Sequence, residues 1–223
     1  MTRWAFPIIL AIAGWPYVLF GFALGSLPFG LLISRAFFSR DIRASGSGNI
    51  GAANALRTLG KKAGAAVLAL DACKGALAVA VAWHQWLFIP LVLTTPGTNS
   101  GTELVPLAGL AAVLGHCYPP WLRFRGGKGV ATFLGAAFAL SWESGIAFVA
   151  VWLAVVIPTG LASLGSMAGA IVAGAVLIAA GARYGESGFV FVFASALVII
   201  WKHRENLGRL RSGTENQLTL FKR

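Results

Sequence analysis

Long apolar runs, broken by short polar segments, organise this chain. A helix crosses a bilayer with about 20 apolar residues, and shorter helices cross inside a bundle. Seven runs qualify, at 5–34, 64–89, 104–121, 129–142, 144–162, 164–182 and 187–201. They predict an all-α, polytopic membrane bundle of about seven transmembrane helices in a single domain, 1–223. The fourth run is short, and Pro158 in the fifth predicts an end or a kink. Small residues are dense at 168–175, which lets membrane helices approach closely. No internal repeat is visible.

Composition supports that reading. Hydrophobic residues make up 57% of the chain, charged residues 11%, and the mean hydropathy is +0.78. Soluble domains carry about 25% charged residues, so this chain has too little polar surface for water on all sides. The first run continues to about Ile33 with no A-x-A cleavage site, so it reads as a transmembrane helix and not as a signal peptide. Cys73 and Cys117 lie in apolar runs without metal-like spacing and imply no disulfide framework.

Charge then orients the chain. The formal net charge is +11. Basic residues gather in alternate loops: Arg35 to Lys62, Arg123 to Lys128, and the tail from Lys202 to Arg223. Together these hold fifteen of the 18 Lys and Arg residues. Arg3, Arg183, Glu103, Glu143 and Glu186 fall on the other side. The positive-inside rule therefore puts the N-terminus outside and the C-terminus in the cytoplasm. Aromatic residues do not interleave with the basic clusters, which argues against nucleic acid as a partner.

The same basic loops carry the candidate chemistry. The first reads Ser45-Gly46-Ser47-Gly48-Asn49-Ile50-Gly51-Ala52-Ala53-Asn54-Ala55-Leu56-Arg57. Its glycines can turn successive N–H groups toward an anion, and a short helix over 50–59 would aim its positive end at that anion. The plain alternative is a flexible linker. The second reads Arg123-Phe124-Arg125-Gly126-Gly127-Lys128-Gly129, glycines and a lysine at a helix start. It is not a Walker A loop, because no strand precedes it and Gly129 follows Lys128. The tail holds Glu205 and Arg209 at i,i+4, the spacing of an ordinary helix-surface pair, and then Gly213-Thr214-Glu215-Asn216.

Asp71 and Lys74 share one helix face inside the second run. Ionisable groups there are costly unless paired or facing a polar cavity, so an internal ion pair that orients the site is the first reading and direct ligand contact the second. His84, between Trp83 and Trp86, reads as an interfacial residue. His116 reads either as a buried hydrogen-bonding residue or as a group behind the site. His203 is a candidate acid or base only because it borders the tail.

Three ordered segments resemble the signature motifs of the bacterial acyl-phosphate-dependent glycerol-3-phosphate acyltransferases, the PlsY family. Gly25-Ser26-Leu27-Pro28-Phe29-Gly30, Ser47 to Asn54 and Asp71 to Gly75 resemble the first region. Gly115-His116 to Thr132 resembles the second, and Arg204-Glu205-Asn206 to Asn216 the third. Ala53 departs from the family's usual Thr. The loop around 94–103 looks like a polar outer insertion.

The resemblance implies transfer of an acyl group from acyl phosphate to the sn-1 hydroxyl of glycerol 3-phosphate, with no metal or nucleotide cofactor. It implies catalytic roles for Ser47, Arg57 and Lys128. It implies substrate contacts from Ser45, Gly48, Asn49, Asn54, His116, Gly126, Gly127, Arg209, Glu215 and Asn216, with Asp71, Lys74 and Glu205 structural. Ser47, Asn49 and Arg57 are assigned to glycerol 3-phosphate, and Lys128 with its glycines to the other phosphate. The H-x-x-x-x-D pair of another acyltransferase class is absent, so a substrate phosphate oxygen is the expected proton acceptor. Further expectations are a bacterial inner membrane location with the site facing the cytoplasm, the lipid bilayer as surroundings, and a soluble enzyme that makes acyl phosphate as a partner. The rival reading is a transporter of a small anionic solute, which Asp71 and Lys74 would also suit.

Overall fold

The computed structural model describes residues 5–84, 104–179 and 184–218, with side chains from Trp15 onward. All regular structure among the described residues is helical. The elements are α1 (Ala5–Gly25), α2 (Phe29–Phe38), α3 (Ala52–Leu59), α4 (Lys61–His84), α5 (Val105–Cys117), α6 (Val130–Leu140), α7 (Trp142–Thr159), α8 (Ala162–Ala179), α9 (Gly185–Lys202) and α10 (Arg204–Arg211). The outer insertion around 94–103, Arg3, Arg183, Trp86 and the last five residues lie outside the described residues.

Among the described residues, five stretches are long and apolar enough to cross a membrane: Trp15–Phe38, Lys61–His84, Trp142–Thr159, Ala162–Ala179 and Gly185–Lys202. The third and fourth runs form shorter helices, α5 with 13 residues and α6 with 11. A rise of 1.5 Å per residue makes them only about 20 and 16 Å long. Length matters less for α5, because eleven of its residues are buried and neighbouring helices take the place of lipid. α1, α4, α6 and α9 all pack against it.

The first run is not one continuous helix. α1 stops at Gly25 and α2 begins at Phe29, with Pro28 as the cap between them. Pro28 has no N–H to bond back toward Leu24, and α1 ends three residues before it. The break exposes carbonyls that distant side chains take up. Lys74 Nζ donates to Leu27 O (2.9 Å), and Trp121 Nε1 donates to Ser26 O (2.7 Å). Pro158, by contrast, is accommodated one residue before α7 ends, and Gly160 closes the helix in the left-handed region at φ 71°.

Glycines set the closest helix contacts. A Cβ on Gly75 of α4 would fall 2.0 Å from Thr132 O, and one on Gly135 of α6 would fall 1.9 Å from Ala72 O. Backbone thus meets backbone between α4 and α6, in the way small residues permit within membranes. The outer faces stay apolar, with Phe189, Phe193, Leu197 and Trp201 of α9 all exposed. Such a face suits lipid and not water.

Candidate active site

Asn54 organises the first basic loop. It is buried at the start of α3, and its Oδ1 accepts from Ser47 N at 2.9 Å. Its Nδ2 donates to the carbonyls of Ile42 (3.1 Å), Ser45 (3.1 Å) and Asn49 (2.8 Å). Every polar atom of the amide is thereby occupied by backbone. Asn49 Oδ1 accepts from Gly51 N at 2.9 Å, an Asx turn that leads into α3. Gly46 and Gly48 have φ 60° and 69°, so the chain turns where only glycine does so freely. Ser45, Ser47 and Gly48 are exposed on this folded loop. The segment is an ordered turn and not a flexible linker, with its short helix over Ala52–Leu59.

The second loop folds back on the end of α5. Gly127 N donates to His116 O (3.0 Å) and Gly126 N to Cys117 O (3.2 Å). These carbonyls belong to the last turn of α5, which has no intrahelical partners for them. Lys202 Nζ, from α9, also donates to Cys117 O at 2.9 Å. Neither glycine has room for a side chain unless its neighbour shifts. A Cβ on Gly126 would fall 2.1 Å from His116 O, and one on Gly127 would fall 2.0 Å from His116 Nε2. The hairpin delivers Lys128 to the N-terminal end of α6, one residue before its cap Gly129 at φ 82°.

Behind the hairpin lies a buried polar core. Lys74 Nζ is 2.7 Å from Asp71 Oδ1, and His116 Nδ1 is 3.5 Å from the same oxygen. All three side chains are under 5% exposed. The ion pair read from the i,i+3 spacing is therefore present, and His116 is buried with it.

The three basic segments converge on Glu215. Its Oε1 accepts from Asn206 Nδ2 (2.5 Å) and Ser163 Oγ (2.8 Å), and its Oε2 from Arg209 Nε (2.9 Å). Asn206 Oδ1 in turn accepts from Lys128 Nζ. Arg57 closes the ring, its Nη2 reaching Asn216 O at 3.4 Å. Leu218 N donates to Gly160 O (2.9 Å), and Leu218 is buried beside Val156 and Ala162. The tail thus spans from α10 to the turn between α7 and α8.

The electrostatics follow from that crowding. Burial pushes the Lys128 ammonium down to about 8; Glu215 opposes this while Arg209 and Arg57 add to it. Burial also pulls Arg57 below the ordinary guanidinium value. Burial alone would raise the Glu215 carboxyl, but donation from Asn206, Ser163 and Arg209 holds it below the usual range. His203 is buried, with Nδ1 2.8 Å from Ile199 O. Burial and the nearby Lys128 push its imidazole down to about 4. It is neutral and a weak base at neutral pH.

Several sequence assignments look different in place. Arg209 pairs with Glu215, not with Glu205 at i,i+4, because the returning tail brings Glu215 within reach; Glu205 remains exposed. Asn216 meets Arg57 through its backbone only. Arg57 and Lys128, assigned to two separate phosphates, stand in one ring. His84 is exposed at the end of α4. Two members of the ring carry little signal in the sequence. Asn206 lies in the tail motif with no role of its own, and Ser163 is one serine in a small-residue helix.

The glycerol-3-phosphate acyltransferase family model matches residues 15–213. A glycerol-3-phosphate acyltransferase of Zymomonas mobilis is 42% identical over 204 residues, covering 89% of this chain and 92% of the relative. The crystal structure of PlsY (YgiH), an integral membrane glycerol 3-phosphate acyltransferase in its glycerol 3-phosphate form, superposes with a TM-score of 0.81. That pair is 35% identical over 94% of this chain and 99% of the other. Its lysophosphatidic acid form gives a TM-score of 0.79 at 34% identity, with the same coverage. The chain belongs to the glycerol-3-phosphate acyltransferase family.

Proposed function

We propose that the chain transfers a fatty acyl group from acyl phosphate to the sn-1 hydroxyl of glycerol 3-phosphate, giving lysophosphatidate and inorganic phosphate. The observation that carries this reading is the ring of Arg57, Lys128 and Arg209 around one carboxylate, built from loops far apart in sequence. Three cations against Glu215 leave the ring with positive charge for phosphate groups. The solved neighbours in glycerol 3-phosphate and lysophosphatidic acid forms carry a substrate and a product of this reaction.

Attack of the hydroxyl oxygen on the acyl carbonyl forms the ester C–O bond and builds an oxyanion. Collapse breaks the C–O bond to phosphate, which leaves with its bonding electrons. Preorganised donors lower this barrier by meeting the developing charge. The hydroxyl proton needs an acceptor, and the ring's own carboxylate is held by three donors. His203, near 4, is also a poor choice. A substrate phosphate oxygen, with a second pKa near 6, is the better acceptor. Ser47, exposed on its turn, and the Gly126–Gly127 hairpin contact substrate, while Asn54 holds the loop that presents Ser47.

The chain is a single domain over 1–223 with seven crossings, counting α1 and α2 as one and including α5 and α6. Contacts joining the first loop, the hairpin and the tail support one shared side for them, and their charge makes it the cytoplasmic side of a bacterial inner membrane. Acyl phosphate would come from a soluble enzyme at that face. Purified protein in detergent, given acyl phosphate and glycerol 3-phosphate, should form lysophosphatidate detectable by mass spectrometry. Absence of that product, with both substrates intact and the protein folded, would overturn the reading.

A further inference from the structure

The Asp71–Lys74–His116 core costs free energy, since ionisable groups are expensive at membrane depth. Packing alone gives no reason to keep it there, because apolar residues of similar volume replace buried ion pairs at little or no cost. Its connections point to a use. Lys74 ties to Leu27 O at the helix break, and Asp71 sits between Lys74 and His116. On its far side, His116 presents Nε2 to Gly127, and its backbone oxygen holds Gly127 N at 3.0 Å. Lys128 is the next residue.

We infer that His116 is a positioning residue. Its imidazole is set from behind by the Asp71–Lys74 pair, and it is the surface on which the Gly126–Gly127 hairpin rests and by which Lys128 is placed. The inference rests on the acyltransferase reading and changes one part of it: His116 acts through the hairpin and does not touch substrate. His116 Nδ1 faces Asp71 Oδ1 at 3.5 Å, and the same oxygen takes the Lys74 ammonium at 2.7 Å. The imidazole is therefore oriented by the carboxylate's field and by packing against Gly127.

A double-mutant cycle tests this, with His116→Ala, Gly127→Ala and the two combined, and His116→Gln as a milder variant. Each protein is checked for folding by thermal melting, and initial rates are measured with both substrates varied. Wild type in the same preparation must make lysophosphatidate, which keeps a failed function apart from a failed inference. Gly127→Ala drives a methyl into the ring, so it should raise KM for a phosphate substrate about tenfold or more, with kcat changed much less. Removing the ring makes room for that methyl. The double variant should then be no worse than the poorer single variant, and His116→Gln should sit between wild type and His116→Ala. Additive losses in the double variant, or an unchanged KM in folded His116→Ala and His116→Gln, would overturn the inference.

Discussion

Lys128 Nζ donates to Asn206 Oδ1, joining the hairpin before α6 to α10. The same Asn206 donates to Glu215, so one amide links the cation to the carboxylate and keeps the two from pairing directly. An ammonium held in this way by a neutral partner keeps its charge available to a phosphate.

Replacing the lysine should therefore remove electrostatic stabilisation without unfolding the bundle. Lys128→Ala is expected to lower kcat/KM about 10²-fold or more, the scale seen when one preorganised donor is lost. Steady-state kinetics on protein with a wild-type melting temperature checks this. Activity within twofold of wild type would remove Lys128 from the site.

The pH dependence has a definite sign. The ammonium is required in its charged form, and its pKa lies near 8, below the ordinary 10.5. Charge is lost as pH rises through about 8, so kcat/KM should fall there. Lys128→Arg stays charged across this range, because the guanidinium pKa exceeds about 12. Its alkaline limb should move upward even if its maximal rate is lower. A limb at the same pH in both proteins would assign it to another group.

Asn54 should matter through the loop it holds. Asn54→Ala removes one acceptor and two N–H donors that reach three backbone carbonyls. At about 1 kcal/mol per hydrogen bond, the loss is roughly 2–4 kcal/mol, lowering the melting temperature along with activity. A normal melting temperature with lost activity would show that Asn54 contacts substrate instead.

Much of this arrangement is legible along the chain. The apolar runs place α4, α7, α8 and α9 within a few residues, and Gly-Gly-Lys before an apolar run marks a helix start. Asp71 and Lys74 are read correctly because i,i+3 spacing is local. The break at Pro28 is lost in an unbroken hydropathy signal, although proline removes a ladder bond there. The partner of Arg209 is missed because local spacing favours Glu205, while a returning tail brings Glu215. Ser163 lies 52 residues from its partner Glu215, and only the packing of α8 under the tail joins them.

Orientation is open to chemical labelling. Ser45 is exposed on the first basic loop. In intact cells, a Ser45→Cys variant should resist a membrane-impermeant thiol reagent and react only after the membrane is opened. Cys73 and Cys117 are changed to alanine first to clear the background. Labelling of intact cells would reverse the proposed sidedness.

The most direct measurement is product stoichiometry. Wild-type protein with acyl phosphate and glycerol 3-phosphate should release inorganic phosphate and lysophosphatidate in equal amounts. Release should stop when an analogue lacking the sn-1 hydroxyl replaces glycerol 3-phosphate. Phosphate released at the same rate with that analogue would show hydrolysis, and the acyl-transfer account would be contradicted.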